Sequence, residues 1–195
     1  MTLPSAQWLG DIEAKPAPDP LRRVQAFINT IDRESGQDRL ATVRDAQPWL
    51  AANGLLAPDE RPSDDDLRFF AAFREGLRAL VMHNTGGARP DHAATVPLRE
   101  VALNQSARVV VADDGSMSVS PAGDGLWARL LSLLLIVENA QRDGTWAHLK
   151  ACANDDCLWA FYDRSRNHGG TWCDMATCGN KLKNRDFRAR RRTVD

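Results

Sequence analysis

A mainly α-helical body carrying one small β-hairpin, followed by a small α+β module built on four cysteines, is the fold class that these 195 residues predict. Three observations predict it. Apolar residues recur at helical spacing through most of the first 145 positions. One stretch, "RVVVADDGSMSVSP", has the two short runs and central turn residues of a hairpin. All four cysteines fall between Cys152 and Cys178. Apolar residues make up 43% of the chain, enough for a buried core.

In chain order, "PLRRVQAFINTIDRE" reads as a helix, with Leu21, Val24, Phe27, Ile28 and Ile31 on one side. "ATVRDAQPWLAANG" reads as two short helical pieces, Pro48 opening the second and Gly54 closing it. "APDERPSDDD" is a polar loop, and Ser63 with Asp66 forms a capping box for the helix "DDLRFFAAFREGLRALVMHN". Its stripe is Leu67, Phe70, Phe73, Leu77, Leu80 and Val81. "TGGARPDHAATVP" reads as a loop and "LREVALNQSA" as a short helix. After the hairpin, "GDGLWARLLSLLLIVENAQRDG" is a nearly all-apolar helix, hence central to the core.

These signals place the body at residues 1–145 and the cysteine module at residues 146–195. The body is mildly acidic, whereas residues 151–195 hold nine Lys/Arg against six Asp/Glu. The opening "MTLPSAQWLGDIEAKPAP" lacks the charged and apolar regions of an export signal. The most apolar run, "LLSLLLIV", is too short to span a bilayer. The expected compartment is therefore the cytoplasm, where thiols stay reduced, and no membrane partner is expected.

Cys152, Cys157, Cys173 and Cys178 read as C-x4-C, fifteen residues, C-x4-C. Two pairs at such a separation suit a structural Zn²⁺ site, in which four thiolates fill a tetrahedron and leave no position for water. Two disulfides, an iron–sulfur or redox role, and four unrelated buried thiols are the alternatives. The spacer "LWAFYDRSRNHGGTW" reads as a hairpin joining the pairs: "WAFYD" a strand, "NHGG" a turn and "TW" the return. His168 is then an exposed turn residue. The segment after Cys178, "GNKLKNRDFRARRR", reads as a helix whose first N–H groups face the last thiolates. Knuckle, hairpin and helix together give a treble-clef-like zinc finger.

On that helix Lys181, Arg185, Arg188 and Arg192 recur at steps of four, three and four, and Lys183, Arg190 and Arg191 widen the stripe. Such a helix suits phosphate contacts on double-stranded DNA. A solvated helix end whose arginines complement the dipole is the plainer alternative. Asn180, Arg164, Arg166 and Asn167 carry the amide and guanidinium groups that read base edges. With Asp163, the last three form a polar cluster that either binds nucleic acid or hydrogen-bonds the hairpin together.

"FYDRSRNHGGTWCDMATCGNK" resembles the CGNR zinc finger through Phe161, Asp163, Ser165, Asn167, Trp172, Cys173, Met175, Cys178, Gly179 and Asn180. Lys181 stands where that signature has arginine, and Gly169–Gly170 occupy a stretch that is commonly basic in the family. The body resembles the ABATE domain, whose "DFVNT"-like opening is here "AFINT", with Ala26 in place of the acidic residue. The resemblance implies a stress-induced bacterial transcription regulator: a zinc finger on DNA and a helical domain sensing a small molecule or a protein. A protein-docking module that does not bind DNA is the rival. An enzyme is not expected: there is no G-x-S-x-G, P-loop, H-E-x-x-H or G-x-G-x-x-G, and His83, His92, His148 and His168 lack ligand spacing.

Overall fold

The computed structural model describes residues 13–181. Five helices form the body: α1 Leu21–Ile28, α2 Val43–Ala52, α3 Asp64–Asn84, α4 His92–Asn104 and α5 Leu126–Asp143. Three antiparallel two-stranded sheets accompany them among the described residues: β1 Ile31–Asp32 with β2 Gln37–Asp38, β3 Ala107–Val111 with β4 Met117–Pro121, and β5 Leu149–Ala151 with β6 Ala160–Tyr162. The mainly helical body with the small β3–β4 hairpin is the fold class expected; β1–β2 is a second hairpin beyond it. No described helix is long and apolar enough to cross a membrane.

The core forms where α1, α3 and α5 meet. Phe27 lies with its ring centroid 5.9 Å from Phe73, 6.1 Å from Phe70 and 6.3 Å from Trp49. Leu130 and Leu133 of α5 and Leu77 and Val81 of α3 are fully enclosed. The expected capping box is present at α3: Asp66 donates its amide to the Ser63 hydroxyl, and its carboxylate accepts from the Ser63 amide at 2.8 Å. Gly144, at φ 85°, ends α5 in the left-handed conformation that glycine adopts without strain.

Three local readings are corrected. The first helix stops at Ile28, because Asn29 and Thr30 direct their side chains elsewhere and Asp32 starts a turn. Its carboxylate accepts from the Glu34 amide at 3.0 Å and the Ser35 hydroxyl at 2.7 Å. Residues 43–52 form one helix with Pro48 inside it, and the helix after the glycine loop begins at His92 rather than Leu98, with Pro97 inside it. In both cases the residue four positions earlier, Arg44 or Ala93, whose carbonyl loses its helical partner, is an exposed residue. Asp91 caps the second of these helices by accepting from the Ala94 amide at 2.7 Å.

The cysteine segment is built onto this body. Leu149, Ala151, Ala160 and Tyr162 belong to the same apolar core as α1, α3 and α5. Buried and half-buried side chains of the body bond to the module's main chain. Asn29 accepts from the Ala160 amide at 2.8 Å and donates to its carbonyl at 2.8 Å, and Gln25 donates to that carbonyl at 3.1 Å. Asn84 donates to the carbonyls of Trp146 and Leu149, each at 2.9 Å. The Thr85 hydroxyl donates to Ala151 O at 2.9 Å and accepts from Ala151 N at 3.0 Å, as a neighbouring strand would.

Replacing Asn29 by alanine orphans the Ala160 amide in the interior, while Gln25 still serves the carbonyl. The expected loss is roughly 2–3 kcal/mol, the cost of one unsatisfied buried donor with its small cavity. Urea unfolding of the metal-loaded protein measures it. Asn104→Ala, at an exposed helix end, serves as the reference and should shift stability by less than about 0.5 kcal/mol.

Candidate metal centre

β5 runs into Cys152 and β6 starts three residues after Cys157, so the first cysteine pair sits in the loop of the β5–β6 hairpin. This differs from the expected pairing of "WAFYD" with "TW". Ala160, Phe161 and Tyr162 are buried against the body, and their ladder partners are Ala151, Lys150 and Leu149. The return segment contributes a single bond there, from the Ala153 amide to the Thr171 carbonyl at 2.9 Å. "HLKA" has little strand propensity of its own; its pairing is imposed by Asn84 and Thr85.

Asn154 shapes the first knuckle, accepting at its carbonyl from Cys157 N at 2.8 Å and Leu158 N at 3.0 Å. The second pair is shaped by Asp174, whose carboxylate accepts from Ala176 N at 2.6 Å and Thr177 N at 3.0 Å. A wide helical turn, Met175–Gly179, follows. Helical structure therefore begins before Cys178, not after it, and a carboxylate rather than a thiolate takes its first N–H groups. Gly179 is needed there: a Cβ would lie 3.1 Å from the Trp172 ring and closer still to the Met175 sulfur.

The four sulfurs all lie within 4.8 Å of one another, with Cys157–Cys173 and Cys173–Cys178 each at 3.7 Å. No disulfide joins them. Four sulfurs about 2.3 Å from a common tetrahedral centre would stand about 3.8 Å apart, so the observed spacing fits a Zn²⁺-sized cation. Cys152, Cys157 and Cys178 are buried, and Trp159 and Trp172 pack against the group. The backbone at Cys173 and Asn154 favours the charged form of Cys152, and that at Trp159 the charged form of Cys157.

Electrostatics also favours a cation. Hydrogen bonds from the Cys157 and Cys173 thiols lower the Cys152 thiol far below its ordinary range. The same bonds to Cys152, with burial, push the Cys157 and Cys173 thiols up. One thiolate thus forms readily and opposes the next, a conflict that a divalent ion resolves. Asn154, which the sequence reading overlooked, donates to the Cys178 sulfur at 3.7 Å. It also donates to Glu34 of the β1–β2 turn at 3.4 Å, and Glu34 accepts from Lys181 at 2.9 Å.

The cluster at 163–167 divides. Asp163 is structural: buried, it accepts from Lys150 Nζ at 2.9 Å, Ser165 N at 3.0 Å and Gly170 N at 2.7 Å. Burial opposes its charge, but hydrogen bonds from Ser165 and Lys150, then from the Ser165 and Gly170 amides, hold its carboxyl well below the usual range. Lys150 also donates to the His168 and Gly170 carbonyls. Gly170 fits where basic residues are common in the resembled family because a Cβ there would lie 2.8 Å from the Asp163 carboxylate.

Around this buried pair the loop stands in water. Arg164, Arg166, Asn167 and His168 are exposed. Arg164 donates to Pro16 O at 2.9 Å and lies over the Tyr162 ring. His168 stacks on His148 with centroids 3.9 Å apart and takes no part in the cysteine group, as expected of a turn residue. Asn180 is exposed and donates to Ala176 O at 3.3 Å. Lys183, Arg185, Arg188, Arg190, Arg191 and Arg192 lie outside the described residues.

Family comparison agrees with this geometry. Residues 148–191 match the model of the CGNR zinc finger. Residues 21–147 match the ABATE model, described as "Putative stress-induced transcription regulator". No curated protein matches the chain. With about two thirds of its length in the ABATE model and its four-cysteine segment in the zinc-finger model, the chain belongs to the ABATE family and carries a C-terminal CGNR zinc finger.

Proposed function

We propose that this protein is a DNA-binding transcription regulator. In this reading Cys152, Cys157, Cys173 and Cys178 hold one Zn²⁺ as thiolates, and the finger at 146–195 meets DNA beneath the helical body at 1–145. The ion supplies a cross-link and no chemistry of its own, because four thiolates leave no open position.

The observation that carries the reading is the state of Arg166 and Asn167. They stand exposed on a loop fixed from beneath by the buried Lys150–Asp163 pair, and among the described residues their side chains make no hydrogen bond or ion pair. A rigid loop presenting an unengaged guanidinium and amide can bond phosphate or base edges with little reorganisation. Arg164 and Lys181 support it less, since Pro16 and Glu34 already occupy them. Asn180 is exposed beside the metal knuckle. Lys183, Arg185, Arg188, Arg190, Arg191 and Arg192 add the charge that phosphate binding needs.

We place effector sensing at the seam between body and finger. An open groove of about 620 Å³ lies there, lined by Ile31, Arg33, Glu34 and Gly36 of the body and Asp155, Asp156 and Lys181 of the finger. An occupant carrying both charges would touch both parts, and through Glu34 and Asn154 it would reach the Cys178 sulfur.

Metal content tests the first part. Protein purified without added metal should carry about one zinc per chain, with its thiols unreactive until a chelator is added. A value near zero with four freely titrating thiols contradicts the site.

Binding to duplex DNA across a salt series tests the second part. Arg185→Ala with Arg188→Ala should lower the slope of log affinity against log salt by about two, weakening all sequences alike. Arg166→Ala and Asn167→Ala should instead change preference between sequences. If the metal-loaded wild type binds no duplex even at low salt, the finger serves protein docking instead.

A further inference from the structure

The β3–β4 hairpin has its amphipathic face turned outward. The register pairs Ala107 with Pro121, Val109 with Val119 and Val111 with Met117, so these six apolar residues share one face with no polar side chain among them. Arg108, Val110, Ser118 and Ser120 form the other. A hairpin resting on its own protein should bury the first face and show the second. Here Val109, Val111, Met117 and Val119 are 65%, 61%, 73% and 51% exposed, whereas Val110 of the polar face is the least exposed of the three β3 valines at 38%. A two-stranded hairpin is marginal in water unless its apolar face is covered.

We propose that this face is a dimer interface, in which the hairpins of two copies pack face to face about a two-fold axis. Two arguments favour a second copy. The face carries no charge or hydrogen-bonding side chain that would select a different partner, and two copies of one apolar sheet face, having the same twist, can pack on each other at the ordinary sheet–sheet spacing of about 10 Å. Its size also fits. The four residues expose on the order of 400 Å² per copy, close to the apolar share of the ~800 Å² that each partner contributes to a standard-size interface. The inference stands on the hairpin alone and does not depend on the DNA reading.

Sedimentation equilibrium of the full, metal-loaded chain tests it. The wild type should be dimeric with a Kd below about 50 µM, and a monomer up to about 200 µM overturns the proposal. The variant V109T/M117K/V119T keeps residues tolerated in strands and should be monomeric at the same concentration, with unchanged zinc content and far-ultraviolet dichroism. Val110→Thr, on the opposite face, should remain dimeric. A triple variant that is folded and still dimeric overturns the proposal in favour of another face. Hydrogen exchange on the wild type needs no variant: amides of 107–121 should gain protection as concentration rises, and protection independent of concentration contradicts it.

Discussion

The peptide group of Ala160 is the point on which the arrangement of both halves depends. Its amide and carbonyl are bonded by Gln25 of α1 and by Asn29 just beyond that helix, its side chain is fully enclosed, and it pairs with Ala151 across β5–β6. Buried main chain must be bonded, and here the bonds come from another part of the sequence. The first cysteine pair lies in the loop between those strands, so the helical body sets the position of two of the four sulfurs. Arg78 reinforces the junction. It is buried on α3, donates to Ile28 O at 2.9 Å, pairs with Glu75 at 3.0 Å and reaches towards Leu158 O.

What remains for a metal to fix is the second pair. Cys173 and Cys178 lie on a segment joined to the rest by a few polar ties, Ala153 to Thr171, Lys15 to Trp172 O at 2.8 Å, Asn154 to the Cys178 sulfur and the exposed Lys181–Glu34 pair, and by the apolar contacts of Trp172. Four thiols at these distances cannot all ionise without a cation between them. The loop 163–170 does not need the metal. It is held by one buried ion pair whose carboxylate takes two further amide bonds, a fully bonded arrangement of the kind that makes such a pair specify one geometry.

Much of this was legible in the sequence. Helical periodicity, the Ser63–Asp66 box, the Asp-Asp-Gly-Ser turn and the cysteine spacing each have a local cause, and local causes can be read from short stretches. Where the cause is distant, the reading failed. Nothing in "HLKA" announces a strand until Asn84 and Thr85 are beside it. The polar ends of "AFINT" looked like a continuing helix, yet Asn29 and Thr30 serve Ala160, Arg74 and the Phe27 carbonyl. For Asp163 the sequence left nucleic-acid contact and bonding within the hairpin both open, and its partner Lys150, thirteen positions earlier, decides for the second. Pro97 suggested a loop because sequence alone does not show that the carbonyl it strands is at an exposed residue.

The body positions the first knuckle, and a bound metal would position the second. Hydrogen exchange of the full chain, compared with and without a zinc chelator, tests that division most directly. Amides of 171–181 should lose protection on chelation, while those of 149–152, 157–162, α1, α3 and α5 keep theirs. Loss of protection throughout the helices would show that the metal holds the body as well. No change at 171–181 would show that it holds nothing.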